Sequence, residues 1–394
     1  MSQLEFDIDF RSDPLPGPRL HELLAQARTS SGLAKARLFG LPAFILVRFA
    51  HLREFFMDHK RFPGGATYQF EIKPVVGNTF INMDGEEHNR YRQLAMPAFR
   101  SRAVNRFVET DLTPLAHEIV SRFVNRGEGD LVTDFADVMP FWAISRKLGL
   151  PVGSEEQQRL WAHAMLSHPA DPDGALAAAR EVTRFLKPAL DERRRHPRDD
   201  VLSDLLAAEQ AGMRFTEEEI YSHVRLLYAV GATTTSDAMS SLFWRLLTEP
   251  GLADRARREP AIRRGIVNEA LRCEPPVAVL PRIVPDGGEL AGVELPPGAI
   301  VMAAIAGANR DPDVFPEPDR YNPDRPESEI MSFGFGSKFC PGAYLAQGQL
   351  QTALEVVLER LPGLRLVEAT EPAGAILRSV EHLKVAWEPP SGAR

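Results

Sequence analysis

Apolar residues recur every three or four positions through much of residues 86–250, a period typical of amphipathic helices. The clearest helix is predicted to begin after Thr216, because Thr216 and Glu219 form a capping-box signature. It is predicted to end near Thr248, just before Pro250, since proline cannot continue a helix. At about 1.5 Å per residue, a helix of this length would cross the whole molecule.

A second helix is predicted after residue 342, because apolar residues fall on one face and Pro362 ends the pattern. Strand-like patterns are shorter. They comprise the apolar run 43–47, the alternating segments within 283–303, and the stretch 364–387. The patterning therefore predicts a mainly helical protein with a minor β region. The apolar face of the second helix consists of Leu350, Leu354, Val357, Leu358 and Leu361.

The composition is that of a globular protein, with 44% hydrophobic and 25% charged residues among 394. That length alone would suggest two or three ordinary domains. The net charge of −8 gives no overall basic surface for nucleic acid. The acidic start of the chain lacks a signal-peptide pattern, and no apolar run approaches about 18 residues, so we expect no membrane association. Two cysteines in a chain this long fit the reducing cytoplasm.

Cys340 lies in a glycine-rich loop that runs from Phe333 to Gly342. Glycine lacks a Cβ, so the backbone of this loop can bend close to a large flat ligand. Phe333 and Phe339 would supply apolar cover. A thiolate in a dry loop of this kind suits the proximal position of a haem iron. The alternative is a buried, inert cysteine in a turn, which the regular glycine and phenylalanine spacing disfavours.

The loop resembles the haem-ligand loop of the cytochrome P-450 superfamily, Phe-x-x-Gly-x-x-x-Cys-x-Gly, at every defined position. The resemblance extends over about residues 15–387 and includes five motifs in the family's order. It implies the cytochrome P-450 fold, mainly α with a minor β region, as a single domain over residues 1–394. Haem b would lie between the long distal helix and the proximal Cys340 loop. The loop residues implied to contact haem are Phe333, Gly334 and Gly342.

Haem carries two propionates, which need cationic or hydrogen-bonding partners. His88 and Arg92 are four residues apart on one face of a predicted helix, and the family uses such a pair for the propionates. The alternative is two exposed polar residues on a charged helix. The resemblance also assigns Arg282 to a propionate. Lys338 stands where the family usually has His or Arg, and lysine keeps the charge but loses the planar fork.

Glu269 and Arg272 share one face of a predicted helix. By itself this spacing would indicate an ordinary solvated ion pair. The segment 308–321 is similar to the family's segment before the cysteine loop, in which Arg320 would complete a Glu-Arg-Arg cluster. Glu269, Arg272 and Arg320 are therefore predicted to lock the proximal side in place, in a structural and not a catalytic role.

The middle of the long helix contains Gly231, Thr233, Thr234 and Thr235, and resembles the family's oxygen-activation motif. Gly231 would let haem and O₂ approach the backbone, and Thr234 falls where the family places the alcohol that guides protons. Thr233 replaces the family's usual acid. We therefore predict that ordered water held by the three threonines delivers protons. The alternative is that these hydroxyls only hydrogen-bond to helix carbonyls.

An apolar substrate pocket is predicted by register with the family, with the loop from Thr67 to Phe80 as part of its roof. Such a pocket would suit an apolar small molecule. For each of its residues the alternative is ordinary core packing. The residues predicted to line the pocket are Tyr68, Phe70, Leu226, Val230, Val277, Ala278 and Val380.

The resemblance implies a monooxygenase that inserts one atom of O₂ into an apolar small molecule, by hydroxylation or oxidative dealkylation, and reduces the other atom to water. Because no flavin, iron–sulfur or nicotinamide-binding segment is recognised, electrons would come from a ferredoxin-type donor with its NAD(P)H reductase. Arg92, Arg100, Arg102 and Lys338 are predicted to form a basic docking patch for an acidic ferredoxin. The family default predicts a monomer.

Two other classes of protein stay open. The absence of the acid at Thr233 gives weight to a haem-thiolate enzyme that uses peroxide directly, as a peroxygenase or an isomerase. A non-catalytic haem protein that senses or carries a ligand is less favoured, because Thr234 and a complete Cys340 loop are both present.

Overall fold

The computed structural model describes residues 4–151, 153–168, 170–210 and 212–390. Helices form most of it, and within these ranges no helix is both long and apolar enough to cross a bilayer. The α-helices are α1 (Arg19–Thr29), α2 (Phe49–Met57), α3 (Gly65–Glu71), α4 (Lys73–Val76), α5 (Gly85–Ala95), α6 (Ser101–Phe107), α7 (Thr113–Ser121), α8 (Met139–Leu148), α9 (Glu155–Leu166), α10 (Pro172–Arg195), α11 (Val201–Ala207), α12 (Glu217–Thr248), α13 (Leu252–Arg258), α14 (Arg263–Cys273), α15 (Ile305–Ala308) and α16 (Ala343–Arg360). Short 3₁₀ turns cover Phe80–Asn82, Pro97–Phe99, Val124–Arg126, Pro260–Ile262, Met331–Phe333 and Gly336–Lys338, and π-helical turns cover Val108–Leu112 and Val132–Ala136.

The strands are β1 (Glu5–Asp9), β2 (Leu33–Leu38), β3 (Leu41–Leu46), β4 (Glu128–Asp130), β5 (Glu209–Gln210), β6 (Met213–Arg214), β7 (Leu280–Val284), β8 (Gly288–Leu290), β9 (Val293–Leu295), β10 (Ala299–Ala303), β11 (Arg365–Ala369) and β12 (Leu383–Ala386). The main sheet has the order β1-β2-β3-β10-β7, with β10 parallel to β3 and antiparallel to β7. A smaller sheet has the order β11-β12-β4. The strand predictions at 43–47, 283–303 and 364–387 are confirmed.

The long helix α12 is the central element of the fold. The Thr216 hydroxyl accepts a hydrogen bond from the Glu219 amide (3.3 Å), and the Glu219 carboxylate accepts one from the Thr216 amide (2.8 Å). The predicted capping box is therefore confirmed. The 32 residues of α12 extend about 48 Å at 1.5 Å per residue. Because α8, α9, α14 and α16 pack around it, α12 is buried on most of its circumference.

The hydrophobic core has a helical part and a sheet part. The largest cluster of buried side chains surrounds α12 and includes residues of α7, α8, α10, α14 and α16. Two smaller clusters lie on opposite faces of the main sheet, because neighbouring strand residues such as Val301 and Met302 point to opposite faces. One of these clusters includes α1 and the other includes α2. Their packing fixes the sheet, and with it Arg282 on β7, against the helical part.

Glu269 on α14 forms a buried ionic cluster, as predicted, but its second arginine is Arg325. The Glu269 carboxylate accepts hydrogen bonds from Arg272 (2.7 and 2.9 Å) and from Arg325 Nε (3.2 Å). The prediction for Arg320 is wrong, since its side chain is exposed and pairs with Glu317 at 3.3 Å. The chain turns so that the Arg320 carbonyl faces the cluster, where it accepts hydrogen bonds from Arg272 and Arg325.

Candidate active site

A cavity of about 410 Å³ lies between the middle of α12 and the loop that carries Cys340. Gly231, Thr234 and Thr235 line it from α12, and Cys340 and Pro341 line it from the loop. Most of the wall is apolar. A cavity of this size and character suits a buried organic group or a small-molecule ligand.

Cys340 is positioned by its own loop and by the start of α16. Its amide donates a hydrogen bond of 2.8 Å to the carbonyl of Phe333. Burial raises the pKa of the Cys340 thiol, while the backbone N–H groups of Gly342 and Ala343 and the charge of Arg92 lower it. These three groups stabilise negative charge on the sulfur. On balance burial keeps the pKa of the free thiol raised, and these three groups would stabilise the thiolate once it binds a metal.

The glycines of this loop are required by its backbone path. Gly334 has φ +70° and Gly336 has φ +68°, a region that side chains with a Cβ rarely adopt. A Cβ on Gly336 would also lie 3.1 Å from the Met57 sulfur. Phe333 and Gly334 line the cavity, as does Gly342, whereas Phe339 is 41% exposed and covers the loop from outside.

Four basic side chains predicted to bind propionates, His88, Arg92, Arg282 and Lys338, line this same cavity. The ammonium group of Lys338 lies 3.2–3.3 Å from the carbonyls of Phe80 and Ile81 and also contacts the Met83 carbonyl. Burial lowers the pKa of Lys338 to about 8, although Asp84, 3.5 Å away, opposes that shift.

His88 has an unsatisfied buried nitrogen. Its Nε2 has no hydrogen-bond partner, and its Nδ1 lies 3.3 Å from the Asn89 side-chain oxygen. Burial lowers the pKa of His88 to about 4, and the charge of Lys338 lowers it as well. A buried nitrogen without a partner is costly, so His88 is suited to a hydrogen-bonding group within the cavity.

The guanidinium groups of Arg92 and Arg282 donate hydrogen bonds to backbone carbonyls of neighbouring segments. Arg92 donates to the carbonyls of Ser337 (3.3 Å) and Phe339 (2.5 Å), which ties α5 to the Cys340 loop. Arg282 donates to the carbonyls of Phe55 and Phe62, both at 3.1 Å, and burial lowers its pKa to about 10.

These basic groups fit haem. Asp84 is the carboxylate paired with this set among the described ion pairs, and it contacts Lys338. The set therefore has excess positive charge and the unpartnered His88 Nε2, which the two propionates of haem would satisfy. Two members of the predicted ferredoxin patch, Arg92 and Lys338, are thus directed inward, which corrects that prediction, while Arg100 and Arg102 are exposed.

The three threonines of α12 differ in direction. Each hydroxyl donates to the carbonyl four residues earlier, at 3.0 Å for Thr233, 2.9 Å for Thr234 and 3.1 Å for Thr235. Thr234 and Thr235 line the cavity, whereas Thr233 is buried away from it. Gly231 lines the cavity where α12 passes close to α8, since a Cβ there would lie 3.1 Å from Ile144 Cδ1.

The substrate-pocket predictions are correct in part. Tyr68, Leu226, Val230 and Val277 line the cavity. Three others do not, and the prediction for them is wrong. Phe70 on α3 is 60% exposed, and Ala278 and Val380 are buried in the core. Ala278 points away because adjacent residues in extended backbone face opposite sides.

Sequence reasoning missed several wall residues. Ile376 and Leu377 line the cavity, because an antiparallel bridge pairs Leu377 with Val277. Their spacing from other motifs gave no signal of this contact. The wall also has a polar portion, where His168 Nδ1 lies 2.8 Å from the Glu71 carbonyl. Burial raises the pKa of Glu71 to about 7, and Arg11 opposes that shift.

The fold and the site together define a haem-thiolate protein, and comparisons with known proteins agree. The family model described as Cytochrome P450 matches residues 175–362. Mycinamicin IV hydroxylase/epoxidase of Micromonospora griseorubida is 30% identical, over 89% of this chain and 90% of that protein. Vitamin D(3) 25-hydroxylase of Pseudonocardia autotrophica is 29% identical, over 94% of each chain. The structure of cytochrome P450 CYP109Q5 from Chondromyces apiculatus is similar with a TM-score of 0.86 at 25% identity, covering 96% of this chain and 97% of that one.

The chain therefore belongs to the cytochrome P450 family and has its fold. It is a haem-thiolate monooxygenase, an oxidoreductase that binds iron through its haem.

Proposed function

We propose that this protein inserts one atom of O₂ into a mainly apolar small molecule, by hydroxylation or oxidative dealkylation, with haem b between Thr234 and Cys340. The observation that carries this proposal is the convergence on one apolar cavity of a cysteine sulfur, four basic side chains and a helix hydroxyl. Haem b, when bound, would supply the iron at which O₂ is activated for transfer of one oxygen atom to the substrate.

Each polar residue of the cavity has a distinct task. Cys340 would be the iron ligand, and the amides of Gly342 and Ala343 would stabilise its negative charge. Arg92, Arg282 and Lys338 would neutralise the two propionates, and uncharged His88 would form a hydrogen bond with one of them.

Thr234 guides protons to the oxygen atom that is reduced to water. Its hydroxyl can donate one hydrogen bond and accept others, so it can order a water molecule or pass on a proton. In this structure it donates to the Val230 carbonyl at 2.9 Å, beside the cavity. The surrounding apolar side chains exclude bulk water, which limits loss of reduced oxygen as hydrogen peroxide.

The substrate occupies the apolar part of the cavity, between Leu226 and Val230 on α12 and Val277 across from them. Relatives are named for the oxidation of mycinamicin IV and vitamin D(3). Glu71 and His168 add hydrogen-bonding groups to the wall of the cavity. The substrate is accordingly an apolar molecule with at least one polar substituent.

Electrons come from a separate ferredoxin and its NAD(P)H reductase. The docking surface lies around Arg100, Arg102, Phe339 and Tyr344, all of which are exposed. Phe339 and Tyr344 flank Cys340 in sequence, and α6, which begins beside Arg100, packs on α16. Basic side chains around exposed aromatic rings suit a small acidic partner.

The chain acts as a single haem domain over residues 1–394, as a monomer, and in the cytoplasm. Two observations support this arrangement. The helical cluster around α12 includes residues from α4 to β12, so segments far apart in the chain share this core. Both cysteines are free thiols, as a reducing compartment would keep them.

A peroxide-driven reaction is the second candidate function. Thr233 stands in place of an acid, and none of the described acidic residues of α12 lines the cavity. An enzyme that takes hydrogen peroxide directly needs less proton delivery from solvent. Turnover with hydrogen peroxide, compared with turnover by ferredoxin, reductase and NAD(P)H, separates the two reactions.

The thiolate ligand is tested by the absorption spectrum of the reduced protein with carbon monoxide. We expect the red-shifted Soret band of thiolate-ligated haem in the wild type and in Cys273→Ser, which changes a buried cysteine outside the cavity. We expect Cys340→Ser to lose that band. A wild-type protein without the band, or a Cys340→Ser variant that retains it, contradicts the proposal.

A further inference from the structure

Asp237 lies on α12 one turn beyond the threonines. It is three residues from Thr234 and four from Thr233, and residues at these spacings are neighbours on a helix surface, about 5–6 Å apart at Cβ. Val230 and Thr234, which precede Asp237 along the same stripe of the helix, both line the cavity. A carboxyl group therefore lies within one helical turn of Thr234, although Asp237 itself does not line the cavity and the position of Thr233 has no acid.

The surroundings of Asp237 favour its protonated form. Burial raises the pKa of Asp237 to about 8, and the like charge of Asp137 raises it as well. A hydrogen bond from Ser379, in the loop that also brings Ile376 to the cavity, opposes this shift. Asp237 consequently holds a proton at neutral pH and can release it.

Asp137 lies close enough to Asp237 for its charge to raise the Asp237 pKa, and it is partly open to solvent. The Asp137 side chain is 28% exposed, and its Oδ1 accepts a 2.5 Å hydrogen bond from Ser236 on α12. Its Oδ2 lies 3.6 Å from Arg159 of α9, which is 33% exposed. The charge of Asp137 also acts on His163, on the same helix as Arg159, where it opposes the lowering of the His163 pKa by burial. The order that we infer for a proton path is therefore the surface, Asp137, Asp237 and Thr234.

We propose that Asp237 is the proton donor that replaces the acid missing at Thr233, and that Asp137 returns protons to it from solvent. The inference rests on the proposed function and deepens it. In each turnover two electrons from the ferredoxin and two protons reduce one oxygen atom of O₂ to water. Asp237 gives up its carboxyl proton to the Thr234 hydroxyl or to a water beside it, and the resulting carboxylate is reprotonated through Asp137.

Infrared difference spectroscopy of the haem-loaded protein tests the protonation of Asp237 without any turnover. We expect the carbonyl stretch of a protonated carboxylic acid at pH 7, and its loss as the pH rises through about 8. Asp237→Asn should remove this band. Asp137→Asn should move its titration to lower pH, because the like charge is gone, and exposed Asp173→Asn should change nothing. Because Glu71, with a pKa of about 7, also gives such a band, the comparison is made in a Glu71→Gln background, where a band that persists in Asp237→Asn contradicts the inference.

The relay itself is tested by coupling. With ferredoxin, reductase and NAD(P)H, we expect Asp237→Asn to lower product per electron pair at least roughly tenfold and to release hydrogen peroxide, since a positioned acid contributes about 10²–10⁴-fold. Asp237→Glu should recover part of the loss, and substrate affinity should not change. Full coupling in Asp237→Asn with an intact carbon monoxide spectrum overturns the relay. Absence of the thiolate spectrum in the wild type overturns the proposed function instead.

Discussion

Adjacent residues of an α-helix point about 100° apart, and this rotation determines which hydroxyl of α12 reaches the cavity. Thr234 lines the cavity, whereas Thr233 is 2% exposed and points away from it. Both hydroxyls donate to helix carbonyls, so this bond does not distinguish them. Their difference is one of position: Thr234, like Thr235, can reach a group in the cavity, and Thr233 cannot.

Thr234→Ala removes the hydroxyl and keeps the helix, because alanine is the best helix former. We expect unchanged substrate binding, a rise in hydrogen peroxide, and a fall of roughly tenfold or more in product per electron pair. The measurement compares NAD(P)H consumed, peroxide released and product formed. Thr248→Ala is the matched control, since Thr248 makes the same hydrogen bond at the exposed end of α12. Full coupling in Thr234→Ala counts against a role in proton delivery.

At the scale of elements, α14 is joined to the irregular segment before the Cys340 loop by Glu269. Its carboxylate accepts hydrogen bonds from Arg272, from Arg325 and from the Asn322 amide (2.9 Å). The irregular segment around Asn322 and Arg325 is thus held against α14 by the Glu269 side chain. The direction of each arginine depends on how this segment turns, which decides that Arg325 is buried and Arg320 exposed.

Arg325→Ala and Arg320→Ala form a pair that tests this assignment. We expect Arg325→Ala to lower the free energy of unfolding by about 1–3 kcal/mol, because a buried carboxylate loses a donor. Arg320→Ala should change it by no more than about 0.5 kcal/mol, as is usual at the surface. Denaturant unfolding of the haem-loaded proteins measures both. Equal losses of unfolding free energy in the two variants would contradict the assignment of Arg325, and not Arg320, to the cluster.

At the scale of the whole molecule, Glu274 joins segments from both ends of the chain. It contacts His21 of α1 (3.2 Å), Arg245 of α12 (2.8 Å), Arg310 (3.4 Å) and Arg378 (2.9 Å). Arg378 also donates to the carbonyls of two residues near the start of the chain. Since all these groups are largely buried, the single carboxylate balances several cations.

Glu274→Gln should destabilise the protein by about 3–5 kcal/mol, because it leaves buried Arg378 without a counter-charge and removes one from Arg245 and Arg310. Glu249→Gln is the control, at about 0–1 kcal/mol, since Glu249 also pairs with Arg245 but is one third exposed.

The cations hold the pKa of Glu274 well below its usual value. Its contribution is therefore present above pH about 4.5 and is lost as the pH falls towards its folded pKa. Thermal unfolding against pH checks this, and a Glu274→Gln variant as stable as Glu249→Gln contradicts it.

The parts predicted most accurately are those with local signals. The limits of α12 follow from its capping box and from Pro250, and α14 carries Glu269 and Arg272 on one face, where they pair. His88, Arg92, Arg282 and Lys338 were assigned by resemblance and line one cavity. In contrast, Phe70, Ala278 and Val380 were assigned to the pocket and lie outside it.

The sequence by itself determined the long helix, the glycine-rich loop around Cys340, and the family to which both belong, because caps, periods and short motifs act within a few residues of one another. Tertiary structure alone decided that Arg325 and not Arg320 reaches Glu269, that Leu377 lies beside Val277, and that Asp137 raises the pKa of Asp237. These interactions join residues that lie between about 50 and 100 positions apart in the chain. Their geometry is set by how loops and helices pack, which no local pattern records.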